Sequence, residues 1–136
     1  VRTEAPPPRR GGDHPAPVRP SKLDELLREA ASARRDGHLA AARESLERAN
    51  TLRPGDPRVD EAYGDLLLEV GNLKEASRRY RKAVNARATT TLWLKLSDTL
   101  AAQGDGSGAC AALARASKMD PGDRVLRRRQ SKYRCR

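Results

Sequence analysis

The sequence predicts an all-α fold, a solenoid-like array of three antiparallel helix pairs followed by one capping helix. Three observations carry this. Apolar and small residues recur at helical spacing, most clearly at Trp93, Leu96, Ser97 and Leu100, an i, i+3, i+4, i+7 stripe. Each stripe is cut by a glycine with a polar neighbour, at Gly37-His38, Gly71-Asn72 and Gly104-Asp105, and glycine accepts the left-handed conformation that ends a helix. The cuts are evenly placed, 34 residues from Gly37 to Gly71 and 33 from Gly71 to Gly104. A period of that size marks stacked supersecondary units.

Residues 1–21, with the runs APPPRRGG and HPAPVRP, have almost nothing to bury and read as a disordered or polyproline-like linker, a tether or a proline-rich ligand. Ser21 with Asp24 and Glu25 is a helix start. Helices are then expected over 22–35 and 39–52, over 57–70 and 73–86 after Pro57, and over 90–103 and 107–118 after a proline-free link at 88–91. Gly106 and Gly108 are poor helix formers, so the sixth helix is expected to fray at its start. Asp123 caps a final helix, about 124–134, whose Val125, Leu126 and Tyr133 cover the apolar edge that a repeat array leaves at its end.

The three units resemble the tetratricopeptide repeat family. The third copy is nearly complete, with Trp93, Leu96-Ser97, Leu100, Ala109, Leu113, Ala116 and Pro121. The second has Tyr63-Gly64, Leu67, Ala76, Tyr80 and Ala83, but Asp60 stands where a bulky residue is expected and Ala88 where proline is expected. The first has Leu26, Ala30, Ala33, Ala42, Leu46, Ala49 and Pro54, with Glu29 in place of the usual leucine. The resemblance covers about 23–121 and sets the repeats at about 22–54, 57–88 and 90–121, with a basic capping segment at 122–136.

The resemblance implies a non-catalytic scaffold whose first helices line a concave groove for a partner peptide or protein. Helical phase assigns Leu27 and Arg34, then Glu61, Asp65, Leu68 and Glu69, then Leu94 and Asp98 to that groove. Its centre is expected to be acidic, with an apolar strip of Leu27, Leu68 and Leu94, suited to a ligand with apolar anchors and basic groups. The alternative is that these acids only solubilise a half-exposed face. The family members that grip a C-terminal carboxylate use Lys, Asn and Arg. The matching places here hold Leu27, Ala31, Ala62, Thr91 and Lys95, so only Lys95 suits and that role is not expected.

Composition narrows the function further. The chain has 136 residues, no phenylalanine, one tryptophan and a net charge of +10, which bounds it to one small domain plus tails. No run approaches the roughly 18 apolar residues of a membrane span. The first residue is Val1, as expected of a processed or excised piece. The basic excess lies at the ends, since residues 23–121 hold sixteen basic and fifteen acidic groups while 122–136 hold seven and one. Lys74, Arg78, Arg79 and Lys82 on the fourth helix, with Arg127, Arg128 and Lys132, give a second reading, an electrostatic anchor for an acidic protein, an anionic membrane surface or nucleic acid. The scarcity of aromatic residues disfavours nucleic acid. Self-association through exposed array ends is a third.

His14 and His38 have no partner at ligand spacing, so no metal is expected. Gly104, Gly106 and Gly108 lack the preceding strand that a phosphate loop needs. No nucleophile–base pair is visible. The sequence therefore implies no enzyme, cofactor or small-molecule substrate. Cys110 and Cys135 lie equidistant from the turn at Pro121-Gly122-Asp123, so an antiparallel hairpin would set them level and in reach of a disulfide. The other reading is one semi-buried structural thiol and one free thiol on a frayed end. Arginine- and alanine-rich usage fits a bacterial source, and a multiprotein assembly of the cytoplasm or cell envelope, in the periplasm if the cysteines are bonded.

Overall fold

The computed structural model describes residues 19–136, so the linker read over 1–21 falls almost wholly outside the described residues. Among these, seven helices and no strand are found: α1 (Lys22–Arg35), α2 (Leu39–Leu52), α3 (Pro57–Glu69), α4 (Leu73–Ala86), α5 (Thr90–Ala102), α6 (Gly106–Met119) and α7 (Arg124–Lys132). The closest packing is within the pairs α1–α2, α3–α4 and α5–α6, with α4 on α5 and α7 on α6.

Local chemistry sets each boundary. Ser21 and Asp24 form a reciprocal capping box on α1, and Asp56 followed by Pro57 starts α3, each satisfying amides that have no partner inside the helix. The missing proline at Ala88 is replaced by a different break. Arg87 and Thr89 are extended, and the Thr89 side chain accepts from the Leu92 amide to open α5.

The expected fraying of α6 is not found. The helix is regular from Gly106 because the Asp105 carboxylate accepts from the Gly108 amide at 2.8 Å. A Cβ at Gly108 would fall 2.3 Å from Asp105 Oδ2. Glycine there makes room for the cap, and the cap offsets its poor propensity.

α7 ends at Lys132, two residues earlier than expected. The Arg134 amide donates to Ser131 O and the Cys135 amide to Gln130 O, a Schellman turn with Arg134 at φ 55°. α3 and α5 close in the same way at Gly71 and Gly104, with φ of 77° and 85°. The turn carries Cys135 back to α6, where Cys110 and Cys135 form a disulfide with Cα atoms 5.4 Å apart.

Each helix pair crosses where a small residue meets a large one. A Cβ on Gly64 would lie 2.5 Å from the Tyr80 ring, which is fully buried. In the first pair, buried Ala30 packs in one cluster with Leu46. In the third, Ser97 donates to Ala109 O at 2.9 Å, with Leu113 fully buried nearby in sequence phase. The smallest residue thus accompanies the largest partner.

Two outcomes follow. Gly64→Ala should destabilise by about 1–3 kcal/mol through overpacking, and combining it with Tyr80→Leu should cost less than the sum of the single changes, as read from urea unfolding. Replacing Cys110 and Cys135 by serine should remove about 3 kcal/mol of loop-closure stabilisation, with faster amide exchange concentrated in α7 and the end of α6.

Candidate functional site

The residues assigned to the groove lie on α1, α3 and α5, and the electrostatics around them differ from expectation. The four carboxylates expected to make it acidic are all engaged within the chain. Lys95 Nζ on α5 donates to Glu61 at 2.8 Å and to both Asp65 oxygens at 3.1 and 3.2 Å. Asp65 also accepts from the Tyr80 hydroxyl at 2.5 Å. Asp98 accepts from Arg129 Nε at 2.9 Å and from the Tyr133 hydroxyl at 2.5 Å. Glu69 pairs with Arg34 at 3.3 Å, and Asp24 with Arg58 at 3.0 Å.

These contacts form a repeated rung. Lys95 and Arg129 occupy the same helical phase one repeat apart, and each reaches back to an aspartate on the preceding first-type helix. Asp65 and Asp98 therefore carry the same triad of carboxylate, phenol and cation. Between α1 and α3 the place of the rung cation is taken by Ala62, and the helices are bridged at their ends by the Asp24–Arg58 and Arg34–Glu69 pairs.

The titrating groups register this environment. Burial works against the Lys95 charge, yet Glu61 and Asp65 outweigh it and hold the ammonium above its ordinary range. Burial, then donation to Asp65, pushes the Tyr80 phenol far above its ordinary range. Burial, then donation to Asp98, pushes Tyr133 up to about 12. Lys95, which alone among the places matching the carboxylate-gripping members has suitable chemistry, is already held by two carboxylates.

The apolar strip also changes. Leu27 packs against Leu23, Leu26 and Val59, and Leu94 against Leu113 and Leu126. Of the three, Leu68 alone remains exposed, at 37%. The face is thus a charge-paired surface on which Leu27 and Leu94 are half-buried and Leu68 is exposed.

Arg79, assigned by phase to the basic back of α4, turns inward. It donates to Asp60 at 3.1 Å and stacks 4.2 Å from the Tyr63 ring centroid. Asp60 is 6% exposed, so the residue that departs from the repeat pattern is a buried acid whose charge Arg79 meets. Arg78 pairs with Glu75 at 3.0 Å. Lys74, Lys82, Arg127, Arg128 and Lys132 are exposed, with no carboxylate partner among the described residues.

Paired helices stacked by a repeated lateral contact define the class: an all-α helical-repeat protein. The chain belongs to the tetratricopeptide repeat family, whose model matches residues 33–100. No curated protein sequence matches it. Among solved structures it is similar to the tetratricopeptide repeat domain of Arabidopsis OM64, with a TM-score of 0.74, 13% identity, and coverage of 83% of this chain and 94% of that one. It is also similar to the Yersinia enterocolitica type III secretion chaperone SycD in complex with a peptide of the translocator YopD, with a TM-score of 0.69, 15% identity, and coverage of 82% and 86%. The O-GlcNAc transferase of Thermobaculum terrenum matches with a TM-score of 0.67 and 24% identity over 74% of this chain, which spans only 20% of that enzyme. These likenesses establish the fold.

The Asp98 triad has a pH signature. Folding raises the Tyr133 pKa from 10.0 to about 12, so its stabilisation is complete below pH 10 and is lost as pH rises through about 12. Tyrosinate absorbance should show a phenol titrating late, and Asp98→Asn should move that titration toward the ordinary tyrosine range, with α7 loosened.

Proposed function

We propose that this chain is a non-catalytic protein-interaction scaffold that presents the face of α1, α3, α5 and α7 to a segment of a partner protein. The observation that carries the reading is the repeated rung at Asp65 and Asp98. It fixes the spacing of the first-type helices before any ligand arrives, so the receptor loses little freedom on binding. Membership of the tetratricopeptide repeat family supports it, as does the likeness to a secretion chaperone whose structure includes a translocator peptide. Because the acids are internally paired, the partner reads shape and exposed Leu68 more than a negative field. The setting is a bacterial multiprotein assembly, in an oxidising compartment when the cysteines are bonded.

Substitutions at Asp65 and Asp98 break the triads. Leu68→Arg alters an exposed side chain and leaves them in place. The immobilised full chain should retain a protein from lysate of its source cells at moderate salt, and Leu68→Arg should weaken that retention about tenfold or more with helicity unchanged. Equal retention by Leu68→Arg would remove this face from the reading.

The exposed cations favour a second reading, an electrostatic anchor for an acidic protein, anionic membrane or nucleic acid. Deleting 124–136 would expose the contacts of Leu126, which is 1% accessible. Arg127→Glu, Arg128→Glu and Lys132→Glu together leave the core intact. Capture that vanishes at moderate salt and in this triple variant would support the anchor over the groove.

A further inference from the structure

On the opposite side of the array, α4 and α6 flank a slot whose floor is α5. Val84, Trp93, Leu96, Leu100 and Ala112 line it, an open cleft of about 250 Å³. Leu96, Leu100, Val84 and Ala112 are buried, whereas Trp93 stays partly open. Trp93 to Leu100 spans two helical turns, roughly 10 Å of helix axis. The slot stays open because, apart from Arg115 at its rim, α6 offers only Gly108, Ala111 and Ala112 along it. A larger residue at Gly108 would displace the Asp105 cap, whose carboxylate occupies the place of its Cβ.

Its rims are cationic. Arg81 on α4 and Arg115 on α6 stand on either side, exposed and without a carboxylate partner among the described residues. Exposed Lys82 continues the charge along α4. In the neighbouring repeat the corresponding opening, between α2 and α4, is polar and is lined by Asn50, Asp60, Arg79 and Lys82. There Asp60 holds the place of Trp93, and its pair with Arg79, which stacks on Tyr63, gives that opening charged groups where the slot has an apolar floor.

We propose that this slot is a second docking surface, distinct from the face of α1, α3, α5 and α7, and that it takes an acidic peptide segment bearing one aromatic or branched aliphatic anchor. The anchor enters over Trp93, where apolar surface leaves water. The flanking carboxylates meet Arg81 and Arg115, whose planar forks suit paired recognition of carboxylate. A basic or uncharged segment lacks that second contact. The chain would then hold two partner segments at once, one on each side of the array.

Trp93 is the only tryptophan, so its emission reports occupancy of the slot directly. The probe is an N-acetylated pentapeptide amide with one phenylalanine between two pairs of glutamates, titrated into the full chain. A saturable change in Trp93 emission is expected. It should be lost when glycine replaces the phenylalanine or lysines replace the glutamates. Ala111→Leu, at an exposed helical position, should abolish it by filling the slot, and Arg81→Glu with Arg115→Glu should weaken it about tenfold or more, both with the helical circular dichroism of the parent. No saturable response at millimolar peptide, or a response unchanged in Ala111→Leu, would overturn the proposal. So would a stronger response to phosphatidylglycerol vesicles that survives Ala111→Leu, which would assign the surface to lipid charge alone.

Discussion

Asp65 and Asp98 hold the first-type helices in register, and most of the molecule depends on how they do so. Each carboxylate accepts from a tyrosine hydroxyl and from a cation on the next first-type helix. The hydroxyls tie the aspartates to α4 and α7, and the cations tie one repeat to the next. A carboxylate with one such donor would leave lone pairs facing a half-buried surface, a costly arrangement. With two or three donors it is satisfied and becomes a fixed spacer. Hydrogen bonds to charged groups are also the stronger kind. The same contact serves inside the array and at its end, so α7 acts as a shortened first helix of a further unit.

The array and its period were legible in the sequence because close helix crossings demand small residues at fixed intervals. Gly64 beneath Tyr80 is the clearest case, since any added side chain would press on the ring. Asp123 and Ser21 announced helix starts through ordinary capping chemistry. The lateral contacts were not legible. Helical phase puts Asp65, Glu61 and Asp98 on one face, but it does not say that Lys95 and Arg129 reach back across a helix boundary. The even spacing of those two cations relative to the repeat was the available signal. Arg79 misled for a related reason. Phase set it among solvated cations, whereas the buried acid at Asp60, visible as a departure from the repeat pattern, drew it inward. At α6, propensity argued for fraying, and one aspartate outweighed two glycines.

The two broad faces of the array are consequently unlike. On the side of α1, α3, α5 and α7, opposite charges are paired around half-buried Leu27 and Leu94 and exposed Leu68. On the side of α4 and α6, like charges flank an apolar floor. A charge-paired surface is selective through shape and through the desolvation it imposes on a misfitting partner. A surface of one sign attracts from a distance and orients what approaches. Division of these roles between two sides of one small array follows from which helices carry the aspartates.

The covalent link at the end of the chain also sets a path for mechanical load. Tension applied at Arg136 passes through Cys135 to Cys110 and so enters the array through the beginning of α6. The chain between the two cysteines, including α7 and the turn at Pro121, carries none of the force while the bond is closed. Once the bond is opened, the same tension peels α7 first and reaches Asp98 directly. A tether attached at this end would therefore pull on a different helix in an oxidising setting than in a reducing one.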